Sequence, residues 1–209
     1  MSNEKVRTIF LFKDYFTDFY KEQSQKVKDK ILWTFRIIET QKQVPEDYLK
    51  HMEGTDGLYE IRVQQGSDIF RIFCFFDKGQ LIVLANGFQK RHRRHQNRKL
   101  KKHLKSKRNM KQKSNLKSLD QFVEEQYGKK GTSKRDKFEK GFESFKLGFL
   151  IQQARLEKGM TQEELADKCG TNKGYISKIE NNIKEIRIST LRKIVELGLG
   201  GHLELSIKL

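Results

Sequence analysis

The chain has 209 residues, which is enough for one large domain or two small ones. Lysine and arginine outnumber aspartate and glutamate by 44 to 27, the net charge is +17, and 11% of the residues are aromatic. This composition excludes disordered, collagen-like and mucin-like chains, and no apolar run approaches the roughly 20 residues of a membrane helix. Cys74 and Cys169 are flanked by apolar residues and predict buried free thiols. We expect a cytoplasmic protein without membrane, metal or cofactor, and the charge favours a nucleic-acid partner.

The first 90 residues predict a small α+β domain. Residues 6–11 have a strand pattern, and residues 14–43 carry apolar side chains at helical spacing until Pro45 ends the run. Three strand-like runs follow, LYEIRV, DIFRIFCFF and QLIVLANGF, joined by short links at 64–67 and 77–79. Short links of this kind are typical of a hairpin meander. The predicted order is β-α-α-β-β-β, ending near Lys90.

The charge surplus is concentrated in one basic stretch. From Phe88 to Lys113 there are thirteen lysines and arginines and no acidic residue, which leaves 31 basic against 27 acidic residues elsewhere. Such a stretch has too few apolar side chains to bury a face. It is either a solvated linker that its own charge extends or a segment that binds phosphate groups.

After Met110 the sequence predicts helices. The first covers 116–128 and ends at Gly128, and a long charged helix begins near Ser133. Thr161 and Glu164 form a capping box that starts a short helix, a turn follows, and a second short helix runs over about 172–180. We expect Ser189 to cap a last helix. The tail LELSIKL alternates and predicts an edge strand.

Two short helices joined by a tight turn at Gly170 are typical of a helix-turn-helix unit. Their spacing predicts that Leu165, Ala166, Ile176 and Ile179 pack between the helices. Side chains at the start of the second helix would then reach base edges and phosphates, while Gln162 would bind a phosphate at the first helix N-terminus. The alternative is that TQEEL is only a capped surface helix. The candidate DNA-binding residues are Gln162, Asn172, Lys173, Tyr175, Ser177 and Lys178.

At these positions the chain resembles the Cro/cI-type helix-turn-helix family. Residues 110–209 are more closely similar to HigA-type antitoxins, from YGKKGTSKRDKFE at 127–139 to GLGGHLELSI near the end. The resemblance implies a homodimer that binds a palindromic operator, represses its own operon and binds a toxin tightly.

Residues 1–90 resemble the phage Gp49-like HigB toxins of the RelE superfamily, through GLYEIRV, IFRIFCFF and VLANGFQK. That resemblance implies ribosome-dependent cleavage of mRNA without a metal, in which a 2′-hydroxyl attacks the neighbouring phosphate. Such a site must stabilise negative charge in the transition state. The candidate catalytic residues are Arg62 and Arg71, with Lys90 in support. The alternative for Arg71 is an internal ion pair with Glu60 or Asp68, since an unpaired buried charge is costly.

The sequence thus predicts three parts: a toxin-like domain at 1–90, a basic linker at 91–115 and an antitoxin-like domain at 116–209. In the resembled toxins, GFQ is followed by a K-K-T-x-K-T-P segment. Codons exist for the residues after Gln89 that also encode such a segment when the nucleotides are read one base earlier. We therefore hypothesise that a slip or indel fused adjacent toxin and antitoxin genes, with Met110 as the original antitoxin start. The toxin-like half would then be inactive or inhibited. The alternative is an active mRNA endoribonuclease masked by the fused antitoxin.

Overall fold

The computed structural model describes residues 4–83, 88–89, 116–182 and 185–206. The chain divides into two compact units, Met1–Arg135 and Asp136–Leu209. The first contains a mixed sheet with helices and the second is helical. The predicted fold class, an α+β domain followed by an all-α domain, is confirmed. The predicted linker 91–115 and Lys90 lie outside the described residues.

The first unit is built on a seven-stranded sheet in the order β2-β3-β4-β5-β1-β7, with β6 also paired to β4. Strands β1 and β5 run parallel, whereas the other pairs are antiparallel. In chain order the elements are β1 (Ile9–Phe12), α1 (Lys13–Lys21), α2 (Gln25–Thr40), β2 (Leu49–His51), β3 (Leu58–Gln65), β4 (Asp68–Asp77), β5 (Gln80–Val83), β6 (Phe88–Gln89), β7 (Leu116–Ser118) and α3 (Leu119–Tyr127).

The two long strands β3 and β4 pair along the whole length of β3, and both faces of the pair are partly buried, since residues 72–75 are all buried. Ile61 faces Ile72 across the pair and both are fully buried, whereas Arg62 faces Arg71 on the opposite side of the sheet. The β3–β4 link turns at Gly66, whose φ of +60° is in the left-handed region that glycine adopts without strain. The predicted hairpin is thereby confirmed, and it places the two candidate arginines side by side.

Lys30 on α2 is a buried cation in this unit. Burial lowers its pKa to about 8, so between pH 8 and 10 the unfolded chain binds more protons than the folded one at this residue. We expect Lys30→Met to raise the free energy of unfolding at pH 7 by about 1–2 kcal/mol, with the gain fading towards pH 10. Burial raises the pKa of the Cys74 thiol, which makes the free energy of unfolding fall with pH in the same range. The contribution of Lys30 is therefore measured as the difference in unfolding free energy between the variant and the wild type at each pH.

Urea unfolding followed by fluorescence of Trp33, the single tryptophan of the chain, measures this effect because Trp33 lies on α2. Lys26→Met, at an exposed position of the same helix, is the matched control. A gain for Lys30→Met that is equal at pH 7 and pH 10 would contradict the assignment.

The second unit consists of helices that surround one apolar core. They are α4 (Ser133–Glu157), which begins just before the boundary between the units, α5 (Gln162–Lys168), α6 (Lys173–Asn182) and α7 (Ile188–Arg192), which continues as a π-helical turn over Lys193–Gly198. Leu165, Ala166, Ile176 and Ile179 are buried in a shared cluster, as the sequence predicts.

Two predictions for this unit are wrong. The last helix begins at Ile188 with Arg187 at its N-cap and no side-chain cap, so Ser189 lies inside the helix rather than before it. The tail forms no strand over 203–206, although its sequence alternates. Within the described part of 136–209 every regular element is helical, so the tail has no sheet edge in this unit to join.

The largest difference concerns residues 116–128. The sequence assigns them to the antitoxin-like domain as one helix, but the structure divides them into a short strand and a helix that both belong to the first unit. The predicted end at Gly128 is confirmed, with a φ of +84°. Residues 116–135 therefore complete the α+β unit, because β7 pairs with β1 and α3 packs against α2.

Candidate functional site

The helix-turn-helix begins with two local caps. Thr161 Oγ1 accepts from the Glu164 backbone at 3.1 Å, and the Glu164 carboxylate accepts from the Thr161 backbone at 2.7 Å. The hydrogen bond from the Thr161 backbone to the carboxylate, with a second from the Thr161 hydroxyl, lowers the pKa of Glu164. At the start of α6, Asn172 Oδ1 accepts from the Tyr175 backbone N–H at 2.9 Å. Both helices are thus fixed at the ends that a DNA-binding unit presents to its target.

The candidate DNA-binding residues of α6 lie together at its beginning. Asn172, Lys173 and Lys178 are exposed, Tyr175 is 37% exposed and Ser177 is half-buried. Lys173 Nζ lies 3.6 Å from Glu163, and both side chains are more than 60% exposed, so this ion pair contributes little. The outward direction predicted for Tyr175 and Lys178 agrees with the structure, and their contact with DNA stays a prediction.

A second candidate site lies on the β3–β4 hairpin of the first unit. Arg62 and Arg71 are direct cross-strand neighbours, and both bind one oxygen of Glu60: Arg62 Nε at 2.7 Å and Arg71 Nη1 at 2.5 Å. Glu60 is buried, whereas the arginine side chains are 27% and 21% exposed. The alternative of an internal ion pair is therefore present, with Glu60 and not Asp68 as the partner.

This cluster keeps a positive balance, since two guanidinium groups share one carboxylate. Each guanidinium carries five N–H donors, more than one carboxylate oxygen can use. The arrangement suits an anionic group such as a phosphate. Lys90, the third candidate, lies outside the described residues.

Two segments of the chain match known families. Residues 18–109 match the family of the phage derived protein Gp49-like, and residues 151–197 match the helix-turn-helix family. The chain joins a Gp49-like domain to a helix-turn-helix domain. The Gp49-like domain belongs to the RelE toxin superfamily, so the resemblance that the sequence carries in each half is confirmed at this level.

The chain is similar over part of its length to solved structures of the restriction-modification controller protein C.Esp1396I. The wild-type protein is 45% identical over 28% of this chain and 74% of that chain, with a TM-score of 0.26. A high-resolution triclinic form is 44% identical over 28% and 75%, with a TM-score of 0.27. No curated protein matches the chain significantly.

The helix-turn-helix domain contains a buried ion pair that the sequence did not single out. Arg155 on α4 binds both carboxylate oxygens of Glu180 on α6, at 2.6 and 2.9 Å, and donates to the Met160 carbonyl. Glu180 is 1% exposed and Arg155 is 6% exposed. One signal was available, because Arg155 lies four positions after Ile151 and Glu180 four positions after Ile176, which places each on the helix face of a core residue.

Gln162 belongs to the same network. Its Nε2 donates to Glu180 Oε2 at 2.8 Å, and the side chain is partly buried. The amide that the sequence assigns to a phosphate is therefore oriented by the Glu180 carboxylate of α6. Gln162 couples the start of α5 to the last part of α6, and any phosphate contact at this position would involve a side chain that is already oriented.

The two cysteines are free and buried, as the sequence predicts. Burial raises both thiol pKa values, and Glu60 adds to the effect at Cys74, so neither thiol is an activated nucleophile. Within the part of the chain that the structure describes, no group of three or more metal-binding side chains is present and no helix is long and apolar enough to span a bilayer.

Proposed function

We propose that the chain is a type II toxin–antitoxin module in a single polypeptide, whose working activity is sequence-specific binding of operator DNA. The match of residues 151–197 to helix-turn-helix proteins supports DNA binding. The observation that carries the proposal is the first part of α6, where Lys173, Tyr175 and Lys178 are exposed while Ile176 and Ile179 anchor the helix in the core.

The finer features of this proposal are a HigA-like antitoxin half, a HigB-like toxin half, repression of the chain's own operon and a cytoplasmic location. Binding to a palindromic operator requires a two-fold symmetric dimer. Ile188, Leu197 and Leu205 are large apolar side chains exposed in the second unit, and a homodimer interface that covered them would remove apolar surface from water.

Lys173→Ala tests the DNA-binding proposal. We expect it to weaken binding to the DNA upstream of the chain's own gene by about 1–3 kcal/mol, while binding to unrelated DNA changes little, if Lys173 reads a base edge. The measurement is a titration of labelled duplexes by fluorescence anisotropy at one fixed salt concentration, because affinity depends strongly on salt.

Lys140→Ala is the matched control, since Lys140 is an exposed lysine of α4 outside the residues that match the family. It should leave operator affinity unchanged. Equal losses with Lys173→Ala on operator and unrelated DNA would count against sequence-specific recognition by this residue.

The second candidate function is ribosome-dependent endoribonuclease activity of the Gp49-like domain, with no metal required. The positive balance of the Arg62–Arg71–Glu60 cluster favours it, because phosphoryl chemistry needs charge stabilisation at the reacting phosphate. We expect expression of residues 1–135, the whole first unit, to arrest growth and Arg71→Ala to relieve the arrest. Growth curves with quantified expression of each variant provide the measurement.

Lys26→Ala, at an exposed position of α2, should leave the arrest intact. Normal growth with soluble wild-type 1–135 would favour an inactive toxin-like half and leave operator binding as the working activity of the chain.

The change of reading frame after Lys90 stays a proposal. The Gp49-like match continues to residue 109 in the frame as written, so part of the basic stretch aligns with the family without any shift. The nucleotide sequence of codons 88–112 is the test. Stop codons or unrelated residues in the alternate frame would exclude the fusion by frameshift and leave the two-domain proposal intact.

A further inference from the structure

The strand β7 and the helix α3 form one continuous segment, Leu116–Tyr127, which we name the clasp. It follows the basic stretch in the chain, yet it belongs to the first unit. The Gp49-like match ends at residue 109 and the helix-turn-helix match begins at 151. The clasp therefore lies outside the residues that match either family. Its own contacts show why it belongs to the first unit.

The strand of the clasp extends the sheet at the edge of β1. Phe10 pairs with Ser118, Leu11 with Lys117 and Phe12 with Leu116, in antiparallel register. Leu116 also packs against the apolar cluster of Phe12, Leu58 and Phe75. Addition of a strand to a free edge is a common way in which an extended segment binds a folded domain, because backbone hydrogen bonds supply affinity and alternate side chains supply specificity.

The helix of the clasp inserts an apolar face into the core of the first unit. Leu119, Phe122, Val123 and Tyr127 are each less than 5% exposed. The Phe122 ring lies 5.3 Å from the ring of Phe16 and 5.1 Å from that of Tyr20, with edge-to-face geometry in both pairs. Aromatic side chains of this size dominate the energetics of cores and interfaces.

A polar network closes over the end of the helix. The Tyr127 hydroxyl donates to Asp29, accepts from Gln25 Nε2 at 2.9 Å and lies 3.2 Å from the Tyr20 hydroxyl. Burial raises the pKa of Tyr127 and the hydrogen bond to Asp29 raises it further. At the other end of the helix, Lys5 binds Asp120 at 2.6 Å. Polar contacts therefore hold both ends of α3 against other residues of the first unit.

The clasp also stabilises its own shape by local contacts. Ser118 and Gln121 form a reciprocal capping box, with bonds of 3.2 and 3.1 Å. Lys117 binds Glu125 at 2.7 Å across the strand-helix junction. A segment that encodes its own bend loses less conformational entropy when it docks.

We propose that the clasp is a docking element by which the helix-turn-helix side of the chain binds the Gp49-like domain without needing the covalent connection through 91–115. The occupant of the β1 edge is thus residues 116–127, and the halves of a chain cut in the basic stretch stay associated. This inference rests on the proposed toxin–antitoxin function only in treating the clasp as part of the antitoxin half. Its contacts do not depend on DNA binding or on nuclease activity.

The experiment uses the full chain with a site for a specific protease inserted between Lys102 and His103. After complete cleavage, we expect the two fragments to co-elute in gel filtration across a dilution series. Excess synthetic peptide with the sequence of residues 116–128 should release the helix-turn-helix fragment, because it competes for the same edge and groove. Separation of the wild-type fragments without peptide would overturn the proposal.

Three variants of the cleavable chain sharpen the test. Phe122→Ala should weaken fragment association by at least about 100-fold, because it removes a buried aromatic ring. Tyr127→Phe keeps the ring, removes the buried hydroxyl and should weaken association by about 10-fold. Glu124→Ala, at an exposed position of α3, should change nothing. If the fragments of all three variants associated as tightly as those of the wild type, the proposal would be overturned, because other contacts would then hold the fragments together.

Circular dichroism of each uncut variant identifies loss of folding, and Tyr127→Phe decides the test if Phe122→Ala does not fold. Operator binding by the cleaved protein separates this inference from the proposed function. If the fragments stay associated but bind no operator, the proposal for the clasp stands and the DNA-binding proposal is wrong. If the fragments dissociate and one of them still binds operator, only the proposal for the clasp is wrong.

Discussion

Arg155→Leu is expected to lower the free energy of unfolding of the helix-turn-helix unit by about 3–5 kcal/mol. The substitution leaves the Glu180 carboxylate, which is 1% exposed, without its bidentate partner. The hydrogen bond from Gln162 remains, but a neutral amide does not compensate a buried negative charge. The Met160 carbonyl also loses its donor, which adds to the loss.

Urea unfolding followed by circular dichroism at a helix wavelength measures this loss, because the second unit is helical. Trp33 fluorescence reports the first unit separately and should show an unchanged midpoint. The double variant Arg155→Leu, Glu180→Leu should recover part of the loss, since replacement of a whole buried pair costs less than removal of one member. A single variant within about 0.5 kcal/mol of wild type would mean that water reaches the pair.

Gly148→Ala is the second substitution with a large expected effect. A Cβ at residue 148 of α4 would lie 2.6 Å from the Ile179 carbonyl oxygen and 2.9 Å from that of Glu180. Both are backbone atoms of α6, so no side-chain rotation relieves the contact and the two helices must separate. We expect a loss of about 3 kcal/mol or more in the unfolding free energy of this unit, and a matching fall in its thermal midpoint.

Gly174→Ala is the control, because residue 174 is exposed and an added Cβ would meet only the Asn172 Oδ1 atom, at 3.3 Å. There the change should be neutral or stabilising by up to about 1 kcal/mol, since alanine favours the helix. If the two variants unfold at the same temperature, α4 and α6 do not approach as closely as described.

Features with short-range causes were predictable from the sequence. Thr161 and Glu164 are three residues apart, and their capping box depends only on the first turn of α5. The buried positions Leu165, Ala166, Ile176 and Ile179 follow from helical periodicity on both sides of one turn. Strand alternation likewise groups Arg62 with Glu60 and Arg71 with Phe73 within each strand, whereas the register that pairs the two arginines came from the structure.

Features that depend on distant partners were not predictable in this way. Strand β7 has three residues and contains a lysine, so no alternation identifies it, and it forms because the β1 edge is free to pair with it. Arg155 and Glu180 are 25 positions apart, and their charges suggested exposed side chains. Residues 203–206 of the tail had the pattern of a strand, but the described part of their unit contains no strand with which they could pair.

The sharing of Glu60 by Arg62 and Arg71 has an evolutionary consequence. A glutamate codon becomes a glutamine codon by one nucleotide change, and that change would double the formal charge of the cluster. The same step would weaken the ionic connection between β3 and β4, because like charges directly across a strand pair repel. At this position a stronger positive charge and a more stable hairpin exclude each other, and one codon determines the balance.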